Sequence, residues 1–232
     1  MLSIIVCSQN DPDWNLHKKH VAATIGVDHE YIRLENHIGQ YRGMCAAYNA
    51  GVEKASGDIL VFMHEDAGLS KLGWGNVITH KFDDSRVGIV GVIGARRLLK
   101  DNLRWDASGA VKGRVAKGEP EHWHSFLYDA QGIDVLREQE LQLRELDSSV
   151  MVIDGLFFAV RKSLFHNVKF DDKTFDGYHF YDLDICMQAR KARKHVIVTT
   201  DLLVAHFSVD HDWGSDWQIY ADRFLEKWNL YI

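Results

Sequence analysis

Proline is nearly missing from this chain, with two in 232 residues. That leaves no Pro-rich linker and argues for order throughout. Cysteine is scarce too: Cys7, Cys45 and Cys186 are odd in number, widely scattered and set in apolar surroundings. They fit reduced core thiols in a reducing cytoplasm, and argue against a disulfide framework or zinc knuckle. No apolar run approaches the ~20 residues of a membrane span, and the first strand is expected from Leu2, which leaves no room for a signal peptide. An excess of positive charge is also lacking. Lys plus Arg total 27 against 33 Asp plus Glu, and 27 − 33 = −6, so no global field recommends nucleic acid or anionic lipid, and a phosphate ligand needs local cations. A soluble protein, at most peripheral to a membrane, is expected.

What is present is a 46% hydrophobic and 11% aromatic chain, long enough to bury roughly 70 to 75% of its unfolded surface around one core. Within it, Gly57-Asp58-Ile59-Leu60-Val61-Phe62-Met63-His64-Glu65-Asp66 is the most informative stretch. Five consecutive apolar residues suit a strand covered on both faces, as in a parallel sheet, and ligands of such sheets collect beyond the carboxyl ends of the strands. If the backbone stays extended past Met63, His64 and Asp66 leave from one side and Glu65 from the other. One divalent cation can then bind both.

The same pattern reading places strands at Leu2 to Cys7, Tyr31 to Leu34, Ile59 to Met63 and Val87 to Ile93. It places helices at Gly43 to Ala55, closed by Gly57 as a C-cap, and at Trp74 to Phe82. Leu99 to Pro120, punctuated by Gly109, Gly113 and Gly118, reads as a hairpin or flap able to cover a site. Val135 to Leu146 has helical spacing, and Val150 to Val160 reads as one long strand interrupted by Asp154-Gly155. A helix from Asp182 to Lys194 and strands at His195 to Thr199 and Leu203 to Phe207 follow. Trp217, Tyr220, Ala221, Phe224, Leu225 and Trp228 form an aromatic stripe expected to pack in the core, with Ser215 and Gln218 as a capping box. Alternating strands and helices imply an α/β layer fold.

Several pieces then fall in a telling order. Ser8 ends strand one, Glu35-Asn36 follows strand two, Tyr48-Asn49-x-Gly51 precedes Ala55-x-Gly57-Asp58, and the buried strand ends in His64-x-Asp66. Downstream come Asp154-Gly155, Phe158-Ala159-Val160-Arg161-Lys162-Ser163-x-Phe165, Phe170-Asp171 and Tyr181-Asp182-x-Asp184. Over roughly residues 1 to 210 this series resembles glycosyltransferase family 2, and in particular its small stand-alone members whose strand tip reads His-x-Asp rather than Asp-x-Asp. The order, rather than any single motif, carries the resemblance. It implies a single-domain GT-A fold: α/β, Rossmann-like, with a mostly parallel central sheet and flanking helices. Residues of about 1–95 would bind the nucleotide sugar, about 96–210 would form the acceptor side, and 211–232 a C-terminal amphipathic helix.

The resemblance also assigns roles. His64 and Asp66 match the metal motif, and a divalent cation there neutralises charge developing on a diphosphate leaving group. A nitrogen donor favours manganese, with magnesium as the alternative and zinc still open. His206 is the further ligand, with His211 its rival. Asp182 matches the general base, which implies inversion at the anomeric carbon; helix capping by the same residue is compatible with that role. Tyr181 stands where the family has Glu. Glu35 matches the residue that reads the base, Ser8 and Gln9 lie where the first loop touches the nucleotide, and Glu65, Asn49 and Asp154 complete the expected donor-site set. Asn49 and Gly51 are poor helix formers inside a helix, which points to close packing against strand or ligand. Asp154 breaks an apolar run and faces a sugar. Trp105, Trp123, His124 and Trp213 are stacking candidates whose ordinary explanation is packing.

The implied partners are a nucleotide-diphosphate sugar, with UDP-sugar the expected class, and a carbohydrate, glycolipid or glycoprotein acceptor. Nucleic acid is not among them. The Gln-x-x-Arg-Trp signature of processive synthases is absent, so single addition is expected. The competing readings are a metal-dependent hydrolase or nucleotidyltransferase and a catalytically silent sugar-nucleotide or glycan-binding module.

Overall fold

The computed structural model describes residues 1–9, 14–37, 39–118, 122, 147–207, 214 and 216–232. The chain runs through β1 (Leu2–Ser8), α1 (Trp14–Thr24), β2 (His29–Glu35), α2 (Met44–Lys54), β3 (Ile59–His64), β4 (Ala67–Leu69) and α3 (Trp74–Lys81). There follow β5 (Val87–Gly91), β6 (Ile93–Ala95), β7 (Val111–Gly113), β8 (Val115–Lys117), β9 (Ser148–Ser149), β10 (Val152–Ile153) and β11 (Phe157–Arg161). Last come α4 (Tyr181–Lys191), β12 (His195–Val198), β13 (Val204–His206) and α5 (Trp217–Trp228). The expected helix at Val135 to Leu146 lies outside the described residues.

Strand alternation decides where each side chain goes. In β3, Leu60 and Phe62 enter one core while Ile59, Val61 and Met63 enter the other, the two-residue period of a pleated strand. The first core also receives Met44, Ala47 and Tyr48 of α2, Ile185 of α4, and Tyr220, Phe224 and Trp228 of α5. The second receives Val21 of α1 and Trp74 and Ile78 of α3. Helices therefore cover both faces, which is why β3 needs no polar positions before its tip.

Among the described residues the central sheet has the order β2-β1-β3-β11-β5-β12-β9. β2, β1, β3, β5 and β12 run in one direction, with β11 and β9 against them. Two of the expected long strands are broken. The 87–93 run leaves the central sheet after Gly91, and the 150–160 run is split at Asp154-Gly155, so β6 and β10 pair with each other in a smaller sheet with β7. Gly91 permits the crossing: a Cβ there would lie 2.6 Å from Ile153 Cγ2. Nor do β7 and β8 form a hairpin together. β7 joins β6, while β8 pairs in parallel with β13, which pairs on its other side with β4.

Two further expectations need correction. Gly57 does not cap α2; the helix ends at Ala55 in extended conformation. Gly57 instead lets the chain pass β1, since a Cβ on it would sit 2.7 Å from Ser3 Oγ. Asp182 is not an N-cap but lies within the first turn of α4, whose cap is Phe180. α5 begins after Asp216 without a side-chain cap bond, and Gln218 donates to Asp222 at 2.8 Å; Ser215, the other half of the expected capping box, lies outside the described residues. The aromatic stripe packs as expected at Tyr220, Phe224 and Trp228.

Candidate active site

The carboxyl ends of β1, β2 and β3 lie side by side, because Ser8 is in register with Glu35 and Cys7 with His64. The backbone N–H of Gln9 donates to Glu65 Oε1 at 3.1 Å, and the carbonyl of buried Ser8 accepts from Asn36 N–H at 2.8 Å. Ser8, Gln9, Glu35 and Glu65 thus share one edge of the sheet, where parallel α/β proteins place their ligands. Glu35 is turned to Arg33, 3.4 Å away. Asn49 is elsewhere: its amide donates to the Phe170 carbonyl at 2.8 Å, tying α2 to the loop before α4.

Immediately beyond β3 the chain turns at Glu65-Asp66 instead of staying extended. It nevertheless brings His64 and Asp66 together, and the third member arrives by strand pairing. Ala67 in β4 is in register with His206 in β13, and Phe207 N–H donates to the Asp66 carbonyl at 3.0 Å. His206 Nε2 then lies 3.4 Å from Asp66 Oδ1, with about 30% of each side chain exposed. One donor atom from each of His64, Asp66 and His206 falls within 4.8 Å of the others. Two imidazoles and a carboxylate are a donor set suited to manganese, zinc or another transition metal. Burial lowers the His64 pKa, which favours the neutral ring a ligand needs. For Asp66, burial works toward protonation, but the His206 hydrogen bond and the two imidazoles hold its carboxyl below the ordinary value. His211 lies outside the described residues.

The second half of the site is a cleft of about 570 Å³ that shares His64 with the triad. Asp154, Gly155, Tyr181 and Asp182 contribute to its wall, with Trp105 and Trp217 among its aromatic lining. Trp123, His124 and Trp213 lie outside the described residues. Asp182 is buried, and Leu183 N–H donates to its Oδ1 at 2.9 Å. Burial, reinforced by the negative charge of Asp154, pushes the Asp182 carboxyl up to about 7. Asp154 Oδ1 accepts the Leu156 N–H at 2.8 Å.

The start of α4 is held in an uncommon conformation. Phe180 has φ 64°, left-handed and costly for a residue with a Cβ. It is kept there by packing, with ring centroids 5.2 Å from Phe224 and 5.5 Å from Trp217. This places Tyr181 Oη 3.0 Å from His64 Nε2. The sequence singled out Tyr181 only as a departure from the usual Glu and did not reveal this contact. It also left unnoticed Lys117, exposed and in register with His206 across the β8–β13 pair. The register of two three-residue strands has no signature in composition.

Helices cover both faces of a mostly parallel sheet, and a candidate metal-ligand triad and an adjoining cleft lie at its carboxyl edge, where parallel α/β proteins place their ligands. A profile of a glycosyltransferase-like family matches residues 3–228, and the chain belongs to that family. No curated protein matches the sequence. Among solved structures the chain is similar to GalNAc-T7, crystallised with UDP, GalNAc and Mn2+, at 11% identity and TM-score 0.62, over 97% of this chain and 47% of that one. It is also similar to the mannosyltransferase PcManGT from Pyrobaculum calidifontis, in complex with GDP-Man and Mn2+, at 14% identity and TM-score 0.51, over 91% of this chain and 58% of that one. The fold is GT-A. The chain spans about half the length of these two proteins. Among the described residues no helix is long and apolar enough to cross a membrane.

Proposed function

We propose that this chain catalyses metal-dependent, inverting, single-addition transfer of a sugar from a nucleotide-diphosphate sugar, with UDP-sugar the first class to test, to a hydroxyl of a carbohydrate-bearing acceptor. The observation that carries the reading is the meeting, at His64, of a three-donor metal cluster and a cleft holding a buried carboxylate pushed up to about 7. His64, Asp66 and His206 would hold a divalent cation, manganese by preference and magnesium as the alternative. When bound, it would neutralise charge developing on the departing diphosphate.

This chain's own groups do the rest. Ser8, Gln9, Glu35 and Glu65 form the edge against which the nucleotide lies. Lys117 brings a positive charge beside His206, the local cation that a protein of net charge −6 must supply for a phosphate. Asp182, ionised, takes the proton of the acceptor hydroxyl as that oxygen bonds to the anomeric carbon. The bond from that carbon to the diphosphate oxygen breaks, and the nucleoside diphosphate leaves with the electron pair. Attack on the face opposite the leaving group inverts the configuration. Trp105 and Trp217 offer apolar surfaces to sugar rings in the cleft, and Asp154 offers a carboxylate to sugar hydroxyls.

The test is to incubate the purified chain with a panel of UDP- and GDP-sugars, manganese and mixed glycan acceptors, beside Asp66→Ala. Donor consumption that requires both metal and acceptor, and is lost in Asp66→Ala, supports transfer. Consumption without acceptor would indicate hydrolysis, and no consumption with nucleotide binding intact in both proteins would indicate a binding module.

A further inference from the structure

Resting on the metal reading above, we propose that Tyr181 is a positioning residue of the metal site: its hydroxyl accepts the Nε2 proton of His64, so that His64 presents Nδ1 to the cation. One contact and two rules of imidazole chemistry converge on this. His64 Nε2 and Tyr181 Oη are 3.0 Å apart, so the in-plane direction from Nε2 is occupied by the hydroxyl. A neutral imidazole has one N–H and one lone pair, and the partner of the N–H decides which nitrogen is left for a metal. Metal-bound histidines almost always donate their other ring N–H to an acceptor that fixes the ring.

The hydroxyl is not free to drift away. The Tyr181 ring packs edge-on against Tyr48 at 5.6 Å, and its backbone follows the left-handed Phe180. Opposite it stands Gly155, where a Cβ would lie 2.0 Å from Tyr181 Oη. Only glycine leaves room for the phenol at that point, which explains why Asp154-Gly155 interrupts an apolar stretch. Since Tyr181 and Asp182 are consecutive in the first turn of α4, the arrangement also ties a metal ligand to the proposed base through one short rigid segment.

The most direct test is a long-range proton–nitrogen NMR spectrum of the histidine-labelled protein loaded with zinc. The proposal expects His64 to show a metal-bound Nδ1 and a protonated Nε2; a metal-bound Nε2 would overturn it. The second test measures manganese affinity calorimetrically for wild type, Tyr181→Phe and Tyr48→Phe, with thermal melts as the check on folding. Tyr181→Phe should weaken manganese binding about 10- to 100-fold. Tyr48→Phe, which removes a buried hydroxyl with no hydrogen-bond partner among the described residues, should leave it unchanged. Equal manganese binding by Tyr181→Phe would mean that the hydroxyl plays no part, and tighter binding that it competes with the metal for Nε2; either would overturn the proposal while leaving the metal site standing. Wild type that binds neither zinc nor manganese would overturn both. If Tyr181→Phe does not fold, the wild-type spectrum decides.

Discussion

Asp66 and Asp182 are two carboxylates of one site in surroundings that drive them apart. Asp66 stands at a turn beside two imidazoles that hold it ionised despite its burial. Asp182 sits in a helix start, buried and facing the charge of Asp154, and is pushed up to about 7. One environment favours the carboxylate anion that the proposed cation would bind; the other makes a group that exchanges a proton near neutral pH. Divergent environments of this kind separate acid–base roles in enzymes. The candidate metal region is assembled at the tip of β3 by the short β4–β13 pairing, whereas the proposed base is carried by an 11-residue helix packed in the core.

The contrast can be broken most sharply at Asp182. Asp182→Asn keeps the shape and removes the proposed base, so transfer should fall about 10²- to 10⁴-fold, while manganese-dependent binding of UDP or GDP persists; a single-turnover assay beside calorimetry checks both. Asp66→Ala should show the opposite pattern, with manganese-dependent nucleotide binding weakened at least about tenfold, as expected when a cation loses its anionic ligand. Metal-free nucleoside binding should be unaffected. If both variants lose binding equally, the division of roles is wrong.

Lys117→Ala should weaken the diphosphate more than the nucleoside. About tenfold weaker binding of UDP, unchanged binding of uridine and a shallower salt dependence are expected, read by calorimetry at two salt concentrations.

Asp182 should also set the pH dependence of activity and stability. As a base it works ionised, so activity should rise as pH passes through about 7. Its stability effect has the opposite sign. With the folded value raised from 3.8 to about 7, stability is full below about 4 and declines as pH rises toward 7, because the folded state binds the proton more tightly than the unfolded chain. Asp182→Asn should therefore melt above wild type at pH 8, with the gap closing toward pH 4. The smallest effect is expected at Asn49. Its amide holds the Phe170 carbonyl, so Asn49→Ala should cost about 1 kcal/mol in urea unfolding and leave nucleotide binding intact.

Much of this was legible in the chain because it is local. The apolar run of β3 ending in His64-x-Asp66 announces a buried strand and its tip, and the order of motifs singled out Asp182 and His206, which the fold brings to the cleft and to the His64–Asp66 pair. What stayed hidden depends on distant contacts. α1 has no aliphatic stripe: among its buried residues are His17, His20 and Thr24. His17 bridges the Tyr31 hydroxyl at 2.7 Å and the Ala67 carbonyl at 2.9 Å, and its burial lowers its pKa to about 4. Polar residues satisfied inside the core read as surface in a one-dimensional pattern. The sheet switch after Gly91 was equally invisible, since apolar character continues on either side, whereas the one at Asp154-Gly155 showed only as an interruption within a single strand. Phe180 in a left-handed conformation has no sequence mark at all, and without it the Tyr181–His64 contact cannot be foreseen.

The most direct measurement is a calorimetric titration of wild type, Asp66→Ala and Asp182→Asn with UDP and GDP, each with and without manganese. Manganese-dependent binding of at least one nucleotide by wild type and Asp182→Asn, and its loss in Asp66→Ala, is the expected result. Binding that ignores manganese, or that survives Asp66→Ala unchanged, would contradict it.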